Sequence, residues 1–406
     1  MVKGRGITQW CYQKCLKSDI KMKSLHILTS LNKSSGGTSL SSYTLVKGLQ
    51  MVGLQADMVT FEPSDENDEM ISTEAFIHTI PPSKIPKWQY SKIASNYIKD
   101  QLSEYDLFHM HGIWEFLPHQ AAISAQRVNK PYLITVSGML YPAALQSKPL
   151  FKKIAAKLFQ DKDLNQATVL QATCYQEYEY IREYGLKNPV AVIANPLALP
   201  EQMPIIKPYT DTKIRVGFMG RFNPIKNIDV LIDAWAKVSK DHPGKNLELV
   251  LIGDGEKSYR ETLQRQVKQH GLDNVSFVGF LNGSEKEDML TKLNYLVLPS
   301  KSENFGMVVT EALLRGIPVI ASTGTPWGDL VEYNCGWWVE KDLISLTSAI
   351  NKAINLEESE RVAMGQRGQE LVVKKYGQSA VALQMKELYA WMLDRTLPIP
   401  TTLYLN

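Results

Sequence analysis

The stretch Ser302-Glu303-Asn304-Phe305-Gly306-Met307-Val308-Val309-Thr310-Glu311-Ala312-Leu313 carries two carboxylates eight residues apart, with a Phe-Gly-Met turn between them. The apolar run Tyr295–Pro299 before it reads as a buried strand. Val309–Arg315 reads as a helix stopped at Gly316. One acid, Glu303, therefore falls at a strand's carboxyl end, and Glu311 falls in the next helix. Open α/β sheets bind ligands at the carboxyl ends of their strands. An ionised carboxylate accepts hydrogen bonds at both oxygens, so the pair suits the vicinal hydroxyls of a sugar or a ribose.

A second pattern supplies cations. Gly217-Phe218-Met219-Gly220-Arg221-Phe222-Asn223-Pro224-Ile225-Lys226-Asn227 reads as a strand ending at Gly220, a turn, and a helix beginning near Ile228. Arg221 and Lys226 flank a helix N-terminus, where bases and the positive dipole end suit a pyrophosphate. Two solvated bases on an ordinary strand–helix loop would give the same pattern. Nearer the N-terminus, Asn32-Lys33-Ser34-Ser35-Gly36-Gly37-Thr38-Ser39 follows a strand, and its paired glycines allow close backbone approach to a phosphate or a sugar. It lacks a full G-x-G-x-x-G, and a bare tight turn fits equally well. Asp106–Trp114 puts His109 and His111 on one side of a strand, His111 nearer its end. A hydrogen-bonded core role suits His109. No carboxylate or Cys accompanies the pair in a ligand pattern, so no metal is expected. Lys148–Phe159 is basic and amphipathic. It is either a solvated helix face or a contact with anionic lipid headgroups, each base adding on the order of 1 kcal/mol near the surface.

These residues need a scaffold of alternating strands and helices, and the chain supplies one. Strand-like runs occur at Leu25–Thr29, Ala56–Thr60, Leu107–Met110, Tyr132–Val136, Val169–Ala172 and Val190–Ile193. A second series occurs at Ile214–Met219, Leu247–Ile252, Val275–Val278, Tyr295–Pro299, Pro318–Ala321 and Gly336–Val339, with longer helical patterns between the runs. That alternation predicts βαβ units and parallel sheets. Asn195–Asp211 carries four prolines and little periodicity. The expected division is an N-terminal domain over 22–200, a linker over 201–211, a C-terminal domain over 212–378, and a helix over 379–395. No strand is expected after that helix, so it must pack on something already built. Segments 63–69 and 81–88 read as loops.

The bulk numbers agree with two soluble domains: 406 residues, 44% apolar, net charge +3. So small a charge does not suggest nucleic acid. Of four cysteines only Cys11 and Cys15 are close, without a second ligand pair. Reduced thiols in a cytosolic protein are the expectation. No run approaches the ~18 apolar residues of a membrane span. Residues 1–21 lack a signal-peptide core and read as a poorly ordered extension outside the fold.

Taken together these segments resemble a family 4 glycosyltransferase, a retaining class with the GT-B architecture of two facing Rossmann-like domains and a C-terminal helix crossing back to the first. Gly220-Arg221-x4-Lys226-Asn227, Ile252-Gly253-Asp254-Gly255, Val278-Gly279-Phe280 and Glu303-x7-Glu311 occur in the family's order and spacing. His109–Trp114, Gly138-Met139-Leu140, Thr325-Pro326-Trp327 and Gly336-Trp337-Trp338 resemble a branch found in bacterial surface-polysaccharide clusters. The resemblance implies that Arg221 and Lys226 hold a donor diphosphate, with Gly220 at the turn. It implies that Glu311 binds the ribose and that Glu303 binds or adjoins the donor sugar. Asn304 would line the site beside the backbone around Phe305, Gly306 and Met307. Gly36 and Gly37 would close over the phosphate. No metal or other cofactor is implied beyond the nucleoside diphosphate sugar itself.

One departure stands out. Where many members carry a histidine after the strand equivalent to Tyr132–Val136, this chain has Ser137. Either Ser137 or His111 would then serve the sugar, or activity is reduced. The implied function is retaining hexosyl transfer in surface polysaccharide or O-antigen synthesis. The implied acceptor is a lipid-linked saccharide at the cytoplasmic membrane face, with peripheral contact to anionic lipid. A GT-B epimerase or phosphorylase, a dinucleotide-dependent oxidoreductase and a non-catalytic nucleotide-sugar-binding protein are the alternatives.

Overall fold

The computed structural model describes residues 21–65, 68–81, 91–206, 208 and 212–405. The expected extension up to residue 20, residues 82–88 of the proline-rich loop, and parts of the 63–69 segment and the linker lie outside these. The chain divides into two compact units. One comprises residues up to Pro196 together with those from Gln378 onward, and the other is Leu197–Gly377.

The first unit is built on β1 (Lys23–Ser30), β2 (Gln55–Phe61), β3 (Ile77–Ile80), β4 (Leu107–His111), β5 (Tyr132–Thr135), β6 (Val169–Ala172) and β7 (Val190–Val192), with β14 (Leu403–Tyr404) from the C-terminus. Their order is β14-β7-β6-β5-β4-β1-β2-β3. All neighbours are parallel except β14, which runs antiparallel to β7 with Leu403 opposite Ala191. A strand after the last helix was not expected. Two residues are too few to carry a period, and Leu403 is held by burial rather than by pattern. The strands are apolar on both faces because helices cover both. Leu25, Ile27, Phe108 and Met110 meet the helices Lys92–Asp100 and Phe116–Arg127. On the other face Leu28, Leu107, Leu133 and Val169 meet the helices Gly37–Met51 and Gln378–Leu393. The crossing helix therefore lies on the first unit's sheet, as expected. It buries Met385, Leu388 and Met392, each contributing about 1.5–3 kcal/mol through lost apolar exposure. It approaches the helix Gly37–Met51 closely, since a Cβ on Gly48 would sit 2.6 Å from the Gln378 carbonyl oxygen.

One stripe of this face is polar. His26 on β1, His109 and His111 on β4, Thr135 on β5 and Gln171 on β6 are all buried beneath the crossing helix, in register across four adjacent strands.

The second unit has β8 (Ile214–Met219), β9 (Leu247–Ile252), β10 (Val275–Gly279), β11 (Tyr295–Leu298), β12 (Val319–Ser322) and β13 (Gly336–Val339), ordered β10-β9-β8-β11-β12-β13 and parallel throughout. The helix Ile228–Asp241 lays Ile228, Leu231, Ile232, Trp235 and Val238 into this core at helical spacing. In each unit the chain lays strands outward from its first one and then returns beside that first strand. The order thus reverses between β1 and β4, and between β8 and β11. A crevice opens outside the carboxyl ends at such reversals.

Candidate active site

The reversal in the second unit collects most of the expected binding residues. Gly220 and Arg221 leave the end of β8. The Asn223 side chain accepts from the Ile225 amide at 3.0 Å and starts the short 3-10 turn Pro224–Lys226. Asn227, with φ of 58°, turns the backbone into the next helix. The loop after β9 braces this turn from beside it. The Phe222 amide donates to the Asp254 carbonyl at 2.8 Å and the Gly220 amide to the Ile252 carbonyl at 3.0 Å. Gly253 and Gly255 permit the approach, because a Cβ on either would fall 1.9 or 2.0 Å from the carbonyl oxygens of Gly220 and Phe222.

From the end of β11 the loop Pro299–Gly306 comes alongside, tied to the first turn by the Lys301 amide donating to the Ile225 carbonyl at 2.7 Å. Lys226 and Glu303 form a direct ion pair with both side chains partly exposed, and the Ser300 hydroxyl donates to the same Glu303 oxygen at 3.2 Å. Gly306, at φ of 81°, leads into the helix Met307–Leu314. Phe305 turns its ring inward against Trp327 and Tyr376, and its carbonyl accepts from the Trp327 indole at 2.5 Å. Only its backbone is left to face a ligand. Asn304 is partly exposed beside it. Glu311 lies one turn into the helix. Its Oε1 accepts from Lys286 at 2.7 Å, while Oε2 is buried with no partner among the described residues. A buried carboxylate oxygen without a donor is costly, and an incoming hydroxyl would satisfy it. Arg221 is exposed and enters no ion pair among the described residues.

The remaining expected residues belong to the first unit. Gly36, at φ of 79°, precedes Gly37 at the start of its helix, and a Cβ on either would meet nothing within 4 Å. The loop before them is held by Asp68, which accepts from the Asn32 side chain at 2.9 Å, and by a Lys33–Glu69 ion pair at 2.5 Å. Ser137 sits just beyond β5 at φ of 54°. His111 ends β4 with its ring almost wholly buried, and burial pushes its pKa down to about 3.

Residues 35–199 match the family model Glycosyltransferase Family 4, and residues 201–371 match the model Glycosyl transferases group 1. The chain is a GT-B glycosyltransferase. An uncharacterized glycosyltransferase of Methanocaldococcus jannaschii is 28% identical over 88% of this chain and 95% of its own length. An uncharacterized 41.2 kDa protein in the cps region of Klebsiella pneumoniae is 26% identical over 54% of this chain and 61% of its own. Among solved structures, Anabaena HepE in complex with UDP and glucose superposes with a TM-score of 0.68 at 20% identity, covering 91% of this chain and 99% of that one. At that identity the likeness is one of fold.

Some residues that touch the expected positions within each unit of this glycosyltransferase have no signal in the sequence. Lys286, on the helix Gly283–Leu290, pairs with Glu311, and Arg315, just past the end of the helix Met307–Leu314, pairs back to Glu287. Glu177 is fully buried. Its carboxylate accepts from the Gly138 amide, from the Thr173 amide at 2.6 Å and from the Thr173 hydroxyl at 2.8 Å, and so pins the Ser137–Gly138 turn. Burial raises the Glu177 pKa, and those bonds draw it partly back. The pair His109–His111 has a third member, His26 of β1. Ligand atoms of the three lie within 4.8 Å of one another. Both His109 nitrogens are already engaged, Nδ1 with the Tyr389 hydroxyl and Nε2 with Thr135, each at 2.6 Å. A metal on this triad would have to break one of those bonds.

Proposed function

We propose that this glycosyltransferase moves a hexosyl group from a nucleoside diphosphate sugar to a saccharide hydroxyl, with retention at the anomeric carbon and without a metal. The observation that carries the reading is Glu311, whose Oε2 is buried and unpartnered among the described residues, on the helix that follows β11 at the β8/β11 reversal, where the turn bearing Arg221 and Lys226 follows β8. That is a ribose acceptor next to a diphosphate cradle. UDP and glucose in the HepE structure support the donor class.

In the proposed reaction the C1–O bond to the diphosphate breaks as a C1–O bond to the acceptor forms on the same face. The acceptor proton passes to the departing phosphate oxygen. Negative charge grows on the diphosphate while the ring becomes oxocarbenium-like. Arg221 and Lys226 therefore bind the transition state more strongly than the ground state, which is what accelerates the step. Without a nucleotide Lys226 is held by Glu303. An arriving diphosphate would draw Lys226 toward it and leave Glu303 to the sugar hydroxyls. His111, neutral through burial, is the reading's acceptor-side residue. Ser137, on the turn held by Glu177, is the second.

The proposed acceptor is a lipid-linked saccharide for a surface polysaccharide or O-antigen, reached from the cytoplasmic membrane face. The cps-region relative supports the pathway class. Leu150, Ile154 and Leu158 are exposed at four-residue spacing beside Lys148, Lys153 and Lys157, a face suited to an anionic headgroup layer. No helix among the described residues is long and apolar enough to cross a membrane.

The test is a screen of UDP-, GDP- and ADP-sugars by thermal stabilisation and hydrolysis, with the anomeric configuration of the transfer product read by NMR. One sugar nucleotide should stabilise and turn over with retention. An inverted product refutes the retaining step, and no stabilisation by any of them refutes the donor class. Loss of flotation with anionic vesicles in Leu158→Glu supports the membrane face, and absence of wild-type flotation at low salt removes it.

A further inference from the structure

The polar stripe under the crossing helix has a direction, and that direction ends at His111. It starts from an atom that can only accept. The Ile193 carbonyl takes a hydrogen bond from Gln171 Nε2 at 2.9 Å, which orients the amide and points Oε1 at Thr135. The Thr135 hydroxyl donates to that Oε1 at 2.6 Å, so its proton is used. Thr135 Oγ1 can therefore meet His109 Nε2, 2.6 Å away, only as an acceptor, and His109 Nε2 carries the proton. Burial holds His109 neutral, with a pKa well below the usual imidazole range, so its Nδ1 is bare. Tyr389, from the crossing helix, must donate its proton to that Nδ1 at 2.6 Å.

Having donated, the Tyr389 oxygen faces His26 Nε2, 3.5 Å away, as an acceptor, and the Ser24 hydroxyl oxygen at 3.3 Å can share the same proton. His26 then carries its proton on Nε2, and its Nδ1 accepts from His111 Nε2 at 2.9 Å. From Gln171 to Tyr389 each residue has one proton to give and the order is fixed; at His26 it continues when the Ser24 hydroxyl accepts rather than donates, and the His111 tautomer reads which of the two it does.

We propose that Gln171, Thr135, His109, Tyr389 and His26 form a positioning chain that holds His111 as its Nε2–H tautomer. Its Nδ1 is left as the unprotonated atom at the carboxyl end of β4. That nitrogen makes no hydrogen bond among the described residues, so its lone pair is left to accept from an acceptor or sugar hydroxyl that reaches the strand end. The functional half of this inference rests on the acceptor-side reading of His111. The tautomer itself does not.

The experiment is long-range proton–nitrogen correlation NMR on the full chain labelled with 15N-histidine at pH 7, assigned with His26→Gln and His111→Gln. Wild type should show His109 and His111 as Nε2–H tautomers. A His111 signal of the Nδ1–H type overturns the chain. Tyr389→Phe removes the only hydroxyl among the described residues that links His109 to His26. The His111 signals should then average between tautomers, and kcat should fall about tenfold or more with the donor KM unchanged. Unchanged His111 signals in Tyr389→Phe overturn the role of Tyr389. If that variant does not fold, Thr135→Val gives the second reading, since it should release His109 from its Nε2–H form. Full transfer activity in His111→Ala would sink the acceptor-side reading and leave the tautomer result standing.

Discussion

Replacing Gly253 with alanine should damage stability and turnover together, by an amount set by the close approach of two turns. The new Cβ would lie 1.9 Å from the Gly220 carbonyl oxygen, where real contacts do not fall below 3.0 Å, so one turn must retreat by more than an ångström. Neither can do so freely. The Gly220 amide is bonded to the Ile252 carbonyl at 3.0 Å and the Gly253 amide to the Gly279 carbonyl at 2.7 Å. The backbone φ of 134° adds its own penalty, because side chains of L-residues rarely tolerate it. Strain of this type costs about 1–3 kcal/mol and overpacking about 1–3 more. A central value of about 4 kcal/mol corresponds to a melting-point drop of roughly 8–16 °C for a unit of this size. Gly220 precedes Arg221, so the same displacement moves the proposed diphosphate cradle, and an error of about 1 Å there costs roughly a hundredfold in rate. Differential scanning fluorimetry and donor turnover read the two effects. Gly244→Ala is the control. It lies in the same unit, meets nothing within 4 Å and has no positive φ, so it should melt within a few degrees of wild type. If Gly253→Ala melts within about 2 °C of wild type and keeps its turnover, the reasoning from close approach is wrong.

Lys226→Ala should lower kcat by about 10²–10³ while the melting point moves little, because its ion pair is partly exposed; near-normal transfer would remove Lys226 from the leaving-group role. Glu311→Gln should weaken nucleoside diphosphate binding about tenfold in calorimetry, as a charged acceptor is lost from the ribose, and Lys286→Met should weaken it less. Acidification should destabilise the first unit. His26, His109 and His111 have folded pKa values below the unfolded 6.5, so the unfolded chain binds the extra protons. Their stabilisation is complete above about pH 6.5 and falls below it, by up to ~1.4 kcal/mol per pH unit for each ring. Melting curves from pH 7 to 5 should therefore steepen, and His109→Gln should flatten the slope.

Much of the fold was legible because buried parallel strands write themselves as apolar runs. All six strands of the second unit fall on such runs. β3, Ile77-His78-Thr79-Ile80, escaped notice because its middle residues point partly to solvent and break the run. The acids and bases proposed to hold the donor stand in two local motifs, each confined to one strand–turn–helix segment. What stayed hidden was pairing at long range. His26 sits inside an apolar run and meets His111 from 85 residues away. Lys286 reaches Glu311 across 25 residues between two helices, and Glu177 reaches Gly138 across 39. No period or spacing encodes such contacts. They exist only once the sheet has fixed its order.

The return of the last helix to the first sheet also sets a schedule for synthesis. Unit Leu197–Gly377 is one continuous stretch and can fold as it leaves the ribosome. The first unit emerges earlier but lacks Gln378–Asn406 until the second unit has been made. At about 5–20 residues per second, the intervening stretch takes on the order of 10–40 s. During that interval the face carrying Leu28, Leu107 and Leu133 lacks the crossing helix that covers it, and the histidine row lacks Tyr389. The nascent chain should be most exposed to chaperones and proteases then, and a ribosome stalled before Gln378 would present a half-roofed sheet rather than a finished domain.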